Sequence, residues 1–319
     1  MLSSIIAGVI TSGVVTPQLK HAFAVSPANA ATTTTATATT NIGTPEQPIA
    51  IVGGGGRTGM ALAESIADPK FGNMHAVTLS RSGKDPFRVI KLPQSTKENL
   101  QHRSEPFDVR DSQESISASL KALSPSVVVF AASASRQGGN VFEVDDVGVE
   151  KVATACNEIG AMFVLISALA VDRPDSKSYQ ITNTLGGNYQ GIMDAKYNGE
   201  EKTKRISNNY VIVRPGVLLN GKTTTGPVGL ELNQGDTIGG GLSRDELAGI
   251  VVGAIQSRGS STKKKKAGTG GITVEAYRKS TAQKLEKKYA MPSGNELTID
   301  AAAATTASYR ELFANAKTD

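Results

Sequence analysis

The stretch Pro48 to Gly59, PIAIVGGGGRTG, constrains this chain more than any other, because a short apolar run breaks directly into four glycines and then a helix start. Ile49, Ala50, Ile51 and Val52 show no apolar/polar alternation, which reads as a strand covered on both faces, as a central parallel strand must be. Gly54, Gly56 and Gly59 spell G-x-G-x-x-G, while Gly53, Gly56 and Gly59 spell the wider G-x-x-G-x-x-G, so two registers of the turn stay open. In either, a backbone without Cβ can approach a diphosphate, and the next helix aims its free N–H groups at the charge. From Thr58 the period becomes helical, with Leu62, Ala63, Ile66 and Ala67 on one face. Strand, glycines and helix in this order predict a dinucleotide-binding turn contacted by Gly53, Gly54, Gly56, Arg57, Thr58 and Gly59. The competing reading is a turn that only packs a helix on a sheet.

The rest of the chain continues the alternation. His75 to Ser80 reads as a second strand that ends in Arg81-Ser82-Gly83. An acid at its end would hold the ribose 2′-hydroxyl of NAD; Ser80 and Arg81 stand there instead. An arginine suits a 2′-phosphate, and with Arg57 in the turn it predicts NADPH over NADH, unless both arginines simply face solvent. Phe107, Asp108 and Val109 read as a short third strand, Ser112 as the cap of a helix through Leu123, and Ser126 to Phe130 as a fourth strand. That strand leads into Ala131, Ala132 and Ser133, small residues that let a ligand pass close to the backbone. A helix over Val144 to Ile159 and a fifth strand over Met162 to Ile166, ending in Ser167, complete an α/β pattern that predicts a doubly wound parallel sheet. Tyr210 to Val213 follows as a sixth strand. Asn220 to Gly241 is rich in Gly and Thr and is expected to face substrate, a helix starts at Ser243, and Leu285 to Ala304 gives no signal.

Composition excludes several classes. The chain has 319 residues, 39% hydrophobic, and a net charge of +5, of which Lys263 to Lys266 supply four. That run, in a loop inserted near residues 258–271, reads as a solvated surface rather than a nucleic-acid patch. The one cysteine, Cys156, sits in a helical pattern as a buried thiol, and His21, His75 and His102 have no ligand spacing, so no protein metal centre is expected. Residues 1–46 read as a presequence outside the fold, leaving one domain over 47–319 with no integral membrane segment in the mature chain. Leu2 to Val15 has the length of a signal h-region, and small-residue sites follow at Ala22-Phe23-Ala24 and Ala28-Asn29-Ala30. His21 to Pro27, HAFAVSP, resembles the Ala-Phe junction of bipartite presequences in algae with secondary plastids, which implies a plastid. A plain secretory signal or a disordered tail remain the alternatives.

GGGGRTG, the D-V-R-D of Asp108 to Asp111, VFAAS, the V-D-x-x-G of Val144 to Gly148, FVLIS, LGGNYQGIMDAKYNGEE and YVIVRPG together resemble the atypical short-chain dehydrogenase/reductases, the NAD(P)H-binding, NmrA-like type of plastids and bacteria. The likeness runs from about Pro48 to Ile255. It implies a Rossmann fold with a small C-terminal substrate-facing region, with Ile272 to Tyr277 as the last strand of the sheet and Tyr309 to Phe313 as a closing helix. It also implies an NAD(P)H cofactor, which Ser80, Arg81 and Arg57 narrow to NADP, with Asp108, Val109, Ala131, Ala132 and Ser133 joining the glycine turn as contacts.

The family's catalytic pair is Tyr-x-x-x-Lys; Lys196 stands at the lysine, but Ile192 occupies the tyrosine position. Tyr189 lies about 10 Å along a helix axis from Lys196, and Tyr197 points roughly 100° away. What carries over is Lys196 as a ribose ligand, needing no carboxylate partner, and Ser167 as a substrate-side hydroxyl. A surface Lys196 paired with Glu200 is the alternative. Without the tyrosine, the proton comes from water, Ser167 or the substrate. The expected function is an NADPH-dependent oxidoreductase acting on a small organic molecule. The alternative is an NADPH-binding regulatory or assembly protein with a protein partner and no turnover. Fold alone does not choose between them.

Overall fold

The computed structural model describes residues 42–135, 138–220, 227–259, 270–291, 294–300 and 305–319. The presequence up to residue 41, the lysine run and residues 221–226 of the Gly/Thr-rich stretch lie outside them. The strands are β1 (Ile49–Val52), β2 (Ala76–Leu79), β3 (Leu100–His102), β4 (Val127–Phe130), β5 (Met162–Ile166), β6 (Tyr210–Pro215), β7 (Val217–Leu219), β8 (Pro227–Asn233), β9 (Ile238–Gly239), β10 (Gly241–Ser243), β11 (Ile272–Arg278), β12 (Gln283–Lys284) and β13 (Asn295–Asp300). The helices are α1 (Arg57–Ala67), α2 (Gln94–Glu98), α3 (Gln113–Leu123), α4 (Val149–Ile159), α5 (Lys177–Asn183), α6 (Ile192–Ile206), α7 (Arg244–Gly259) and α8 (Thr306–Glu311). A π-helical stretch, Phe142–Gly148, runs straight into α4.

Nine strands form one sheet in the order β13-β8-β11-β6-β5-β4-β1-β2-β3. From β3 through β11 every neighbouring pair is parallel; β8 and β13 extend the sheet antiparallel. β1 pairs with β2 on one side and β4 on the other. The chain therefore reverses its direction of growth at β1, the switch point where a doubly wound sheet opens a crevice at its strand ends.

The apolar runs dictate this layering. In β1, Ile49 and Ile51 enter the core beneath α1, α7 and α8, while Ala50 and Val52 enter the core beneath α3 and α4. The side-chain period of two sends alternate residues to opposite faces, and since all four are apolar, both faces need a cover of helices. Ser112 caps α3 by accepting from the Ser115 N–H at 3.3 Å. α7 starts with a reciprocal capping box, Ser243 N–H to Glu246 Oε2 at 2.8 Å and Glu246 N–H to Ser243 Oγ at 3.2 Å. Cys156 is fully buried in α4, and that burial pushes its thiol pKa up.

Three expectations change in the structure. The third strand is β3, and Phe107 to Val109 follow it as a loop; with Pro106 before it unable to donate, Phe107 N–H makes a single bond, to Ser80 O at 3.0 Å. The Gly/Thr-rich stretch contributes a full strand, β8, to the central sheet. β11 is the seventh parallel strand and not the last of the sheet, since β13, from the segment without signal, closes that edge.

Candidate functional site

At the end of β1 the chain turns so tightly that side chains are excluded. A Cβ on Gly59 would sit 2.3 Å from Gly53 O, one on Gly54 2.5 Å from Thr78 Cβ, and one on Gly53, whose φ is +82°, 2.6 Å from the Ala132 nitrogen. Gly53 and Gly54 both donate to Leu79 O, at 3.1 and 2.9 Å, which locks the turn against β2. Gly56 stands at the cap of α1, and no side chain caps the helix. The first-turn N–H groups are thus left to whatever anion enters.

A cleft of about 340 Å³ opens over this turn at the switch point. Of the residues expected to touch cofactor, Gly53, Gly56, Arg81, Asp108, Val109, Ala131, Ala132 and Ser133 line it together. Gly54, Thr58 and Gly59 lie outside its lining and shape the turn beneath. Arg57 opens α1 on the side of Arg244, the first residue of α7, whose pKa is lowered by burial and by the Arg57 charge. Ser80 is 8% exposed and its Oγ, buried in the wall, has no hydrogen-bond partner among the described residues. The Arg81 guanidinium lies over Gly138, where a Cβ would come within 2.7 Å of it. Arg110 forks onto Asp108, Nε to Oδ1 at 3.0 Å and Nη2 to Oδ2 at 2.6 Å. That hydrogen bonding, with some help from the Arg81 charge, holds the Asp108 carboxyl below the usual carboxylate range.

Lys196 is placed by α6 but not as its sequence suggests. Its ammonium donates to Asp145 Oδ1 at 2.8 Å, so it has a carboxylate partner after all. Glu200 is fully buried on Arg214, 2.6 Å from Nη2, and is no partner of Lys196. Asp145 also accepts from Ser133 Oγ at 2.8 Å and Ala134 N–H at 2.9 Å. This buried aspartate on the π-helical stretch thereby ties the ends of β4 and α6 together; it is the acid of V-D-x-x-G, to which the sequence alone attached no site role. A π-helical turn commonly marks a functional position.

Ile192, in the tyrosine position, is 7% exposed, whereas Tyr189 and Tyr197 are 38% and 41% exposed and take no part in the network. Ser167 is 6% exposed at the end of β5; its N–H donates to Val213 O at 2.9 Å, and its Oγ has no hydrogen-bond partner among the described residues.

A second cleft, of about 570 Å³, begins at Ala168 and Leu169, directly after Ser167, and is also lined by Met193, one turn before Lys196 on α6. Behind it lies a charged cluster. Arg214 of β6 meets Glu200, Asp172, Asp236 and Glu275, all within 3.6 Å. Asp236 further accepts from Ala170 N–H at 2.6 Å and Asp172 N–H at 3.2 Å, fixing the loop that follows Ser167. Burial pushes the Asp236 carboxyl up to about 8 and that of Glu275 to about 7, against the pull of Arg214. Among the described residues no cluster of His, Cys, Asp and Glu could hold a metal ion, and no helix is long and apolar enough to cross a membrane.

The profile of a family described as NAD(P)H-binding matches residues 53–258. An uncharacterized chloroplastic protein of Arabidopsis thaliana is 36% identical over 146 residues, 43% of this chain and 50% of that relative. The alignment thus spans half the length of that relative. Among solved structures, a candidate NAD-dependent epimerase/dehydratase from Bacillus halodurans superposes with a TM-score of 0.52 at 19% identity, covering 72% of this chain and 93% of that one. An oxidoreductase from Lactococcus lactis gives 0.52 at 18%, covering 73% and 92%. A wide-type short-chain dehydrogenase/reductase from Veillonella parvula, in complex with NADP, gives 0.51 at 13%, covering 76% and 99%. At such identities these likenesses show the fold.

Proposed function

This chain belongs to the NAD(P)H-binding family, and from that premise we propose that it is an NADPH-dependent oxidoreductase acting on a small organic carbonyl compound. The observation that carries the reading is a hydrogen-bonded chain that leads from the first cleft toward the second. Lys196 is joined through Asp145 to Ser133, a wall of the first cleft, and stands one turn from Met193, a wall of the second. Ser167 directly precedes Ala168 and Leu169 of the second cleft, and its buried hydroxyl has no hydrogen-bond partner among the described residues. The residues fit the dinucleotide: the glycine turn excludes a Cβ at Gly53, Gly54 and Gly59, and Ser80 and Arg81 in the cleft lining supply donors suited to a ribose 2′-phosphate.

Bound there, the cofactor supplies the hydride. Lys196, oriented by Asp145, donates to the nicotinamide ribose hydroxyls. Ser167 donates a hydrogen bond to the substrate oxygen as charge develops on it, the role of a positioned donor in a water-poor site. That oxygen takes its proton from water or through Ser167, since no tyrosine reaches Lys196. The chloroplastic name of the Arabidopsis relative and the Ala-Phe junction in the leader support a plastid location. A second reading, cofactor binding without turnover, is favoured by one observation, the buried Ile192 in place of the acid.

Calorimetric titration with NADPH and NADH tests the cofactor. NADPH is expected to bind more tightly, and Arg81→Ala to cost it about 1.5 to 3 kcal/mol while sparing NADH. Equal losses for both cofactors would remove the 2′-phosphate argument. Saturable NADPH oxidation with a panel of quinones, enals and ketones separates the enzyme from the binding protein.

A further inference from the structure

The second cleft has a chemistry of its own. Leu169, Met193, Pro215, Leu219 and Leu285 give it apolar walls, and three consecutive glycines, Gly239 to Gly241, line it with them. No carboxylate lines it, and Lys284 is its one charged lining residue. Lys284 is exposed, and no hydrogen bond or ion pair engages its ammonium among the described residues. Val217 stands in the wall 73% exposed, and Ile181, beside the lining residue Thr182 on α5, is 69% exposed. Apolar side chains left open around a concave site mark the place where an apolar ligand is covered.

Charge limits what can enter. A sugar nucleotide brings two phosphate charges and a ring of hydroxyls, and it would meet a single solvent-exposed lysine. Its desolvated phosphates would have no arginine fork in the lining to replace water, and at the start of α6, beside the lining residue Met193, the Met193 and Asp194 N–H groups already donate to Asn183 Oδ1. A flat or branched apolar carbonyl compound finds complementary walls, and one carboxylate on its outer end finds Lys284.

We infer that the second cleft takes a predominantly apolar carbonyl compound carrying at most one anionic group, with the apolar body between Met193, Leu219 and Val217 and the anion on Lys284. This inference rests on the oxidoreductase reading for the reaction, but the binding chemistry of the cleft stands by itself. It assigns Val217 and Lys284 as specificity-determining residues.

The test uses benzophenone, its carboxylate analogue 4-benzoylbenzoate, and UDP-glucose, each titrated by calorimetry into the full chain with and without saturating NADP. Both ketones are expected to bind, 4-benzoylbenzoate about threefold more tightly, as a partly exposed ion pair permits. Lys284→Ala should erase that difference. Val217→Asp should weaken benzophenone about tenfold, the scale of one lost valine contact, while NADP affinity and melting temperature stay at wild-type values, since the residue is exposed. UDP-glucose binding more tightly than the ketones would overturn the inference, as would ketone binding indifferent to Val217→Asp or no ketone binding at all. Failure of NADP to bind, with Val217-sensitive ketone binding intact, would instead sink the proposed function and leave the cleft assignment standing.

Discussion

Lys196 answers to Asp145, and because the Asp145 side chain is 1% exposed, structural and cofactor roles of the lysine are separable by experiment. Lys196→Met leaves a buried carboxylate without its cation and should destabilise the protein by about 2 to 4 kcal/mol. Adding Asp145→Asn removes the stranded charge and should return most of that stability. Cofactor affinity should stay about tenfold low in the double variant, because no ammonium reaches the ribose. Denaturant melts and NADPH titrations of both variants decide; affinity that recovers along with stability would reduce Lys196 to a structural ion pair. At this scale the sequence was legible where a residue is demanded by backbone geometry, and Gly53 and Gly59 could be picked from position alone. Asp145 could not, since its importance comes from partners at positions 133, 134 and 196, and linear spacing carries no information about which strand ends and helix faces converge.

Among elements, the β1–α1 unit shows how unequal the glycines of one turn can be. A Cβ at Gly59 would lie 2.3 Å from the Gly53 carbonyl oxygen, whereas at Gly55 its nearest neighbour would be Ser80 Cβ at 3.5 Å. Gly59→Ala must therefore push α1 off the turn and is expected to lower the melting temperature sharply and abolish cofactor binding. Gly55→Ala should leave stability within about 0.5 kcal/mol of wild type. Thermal melts of the pair provide the check, and equal effects would mean that the turn is softer than its contacts imply. The same unit was plain in the sequence because buried parallel strands are continuous apolar runs; β4, β5 and β6 were plain for that reason. β3 was not, because at the sheet's edge Leu100 and His102 are only partly buried and Gln101 is exposed. In β13, Leu297 and Ile299 alternate with polar residues too briefly to stand out, and β8 begins at a proline with a glycine two residues on, both residues that speak against a strand.

For the molecule as a whole, the Arg214 cluster sets a dependence on pH. Asp236 and Glu275 titrate near 8 and near 7 in the folded chain, well above about 4, where unfolded carboxyls release their protons. Between those limits the folded state holds protons that the unfolded state has lost, so their contribution to stability falls as pH rises and levels off above about 8. Glu275→Gln keeps the shape of the side chain and removes its ionisation. Its melting temperature relative to wild type should climb between about pH 4 and pH 7, where the unfolded wild-type chain has released a proton that folded Glu275 still holds, and level off above. A flat or falling difference would mean that Glu275 is already ionised in the fold. The sheet's connectivity carries a consequence of another kind. β11 lies between β6 and β8 although both precede it in the chain, so during synthesis the flank of β6 stays an open template until residues 272–278 have left the ribosome. Until that gap is filled, β8 and β13 have nothing to dock on, and the nascent chain presents a bare strand edge to any neighbour able to pair with it. Insertion of β11 is then the late step on which β8 and β13 both wait, and the nascent chain's exposure to chaperones and to aggregation lasts at least until that strand arrives.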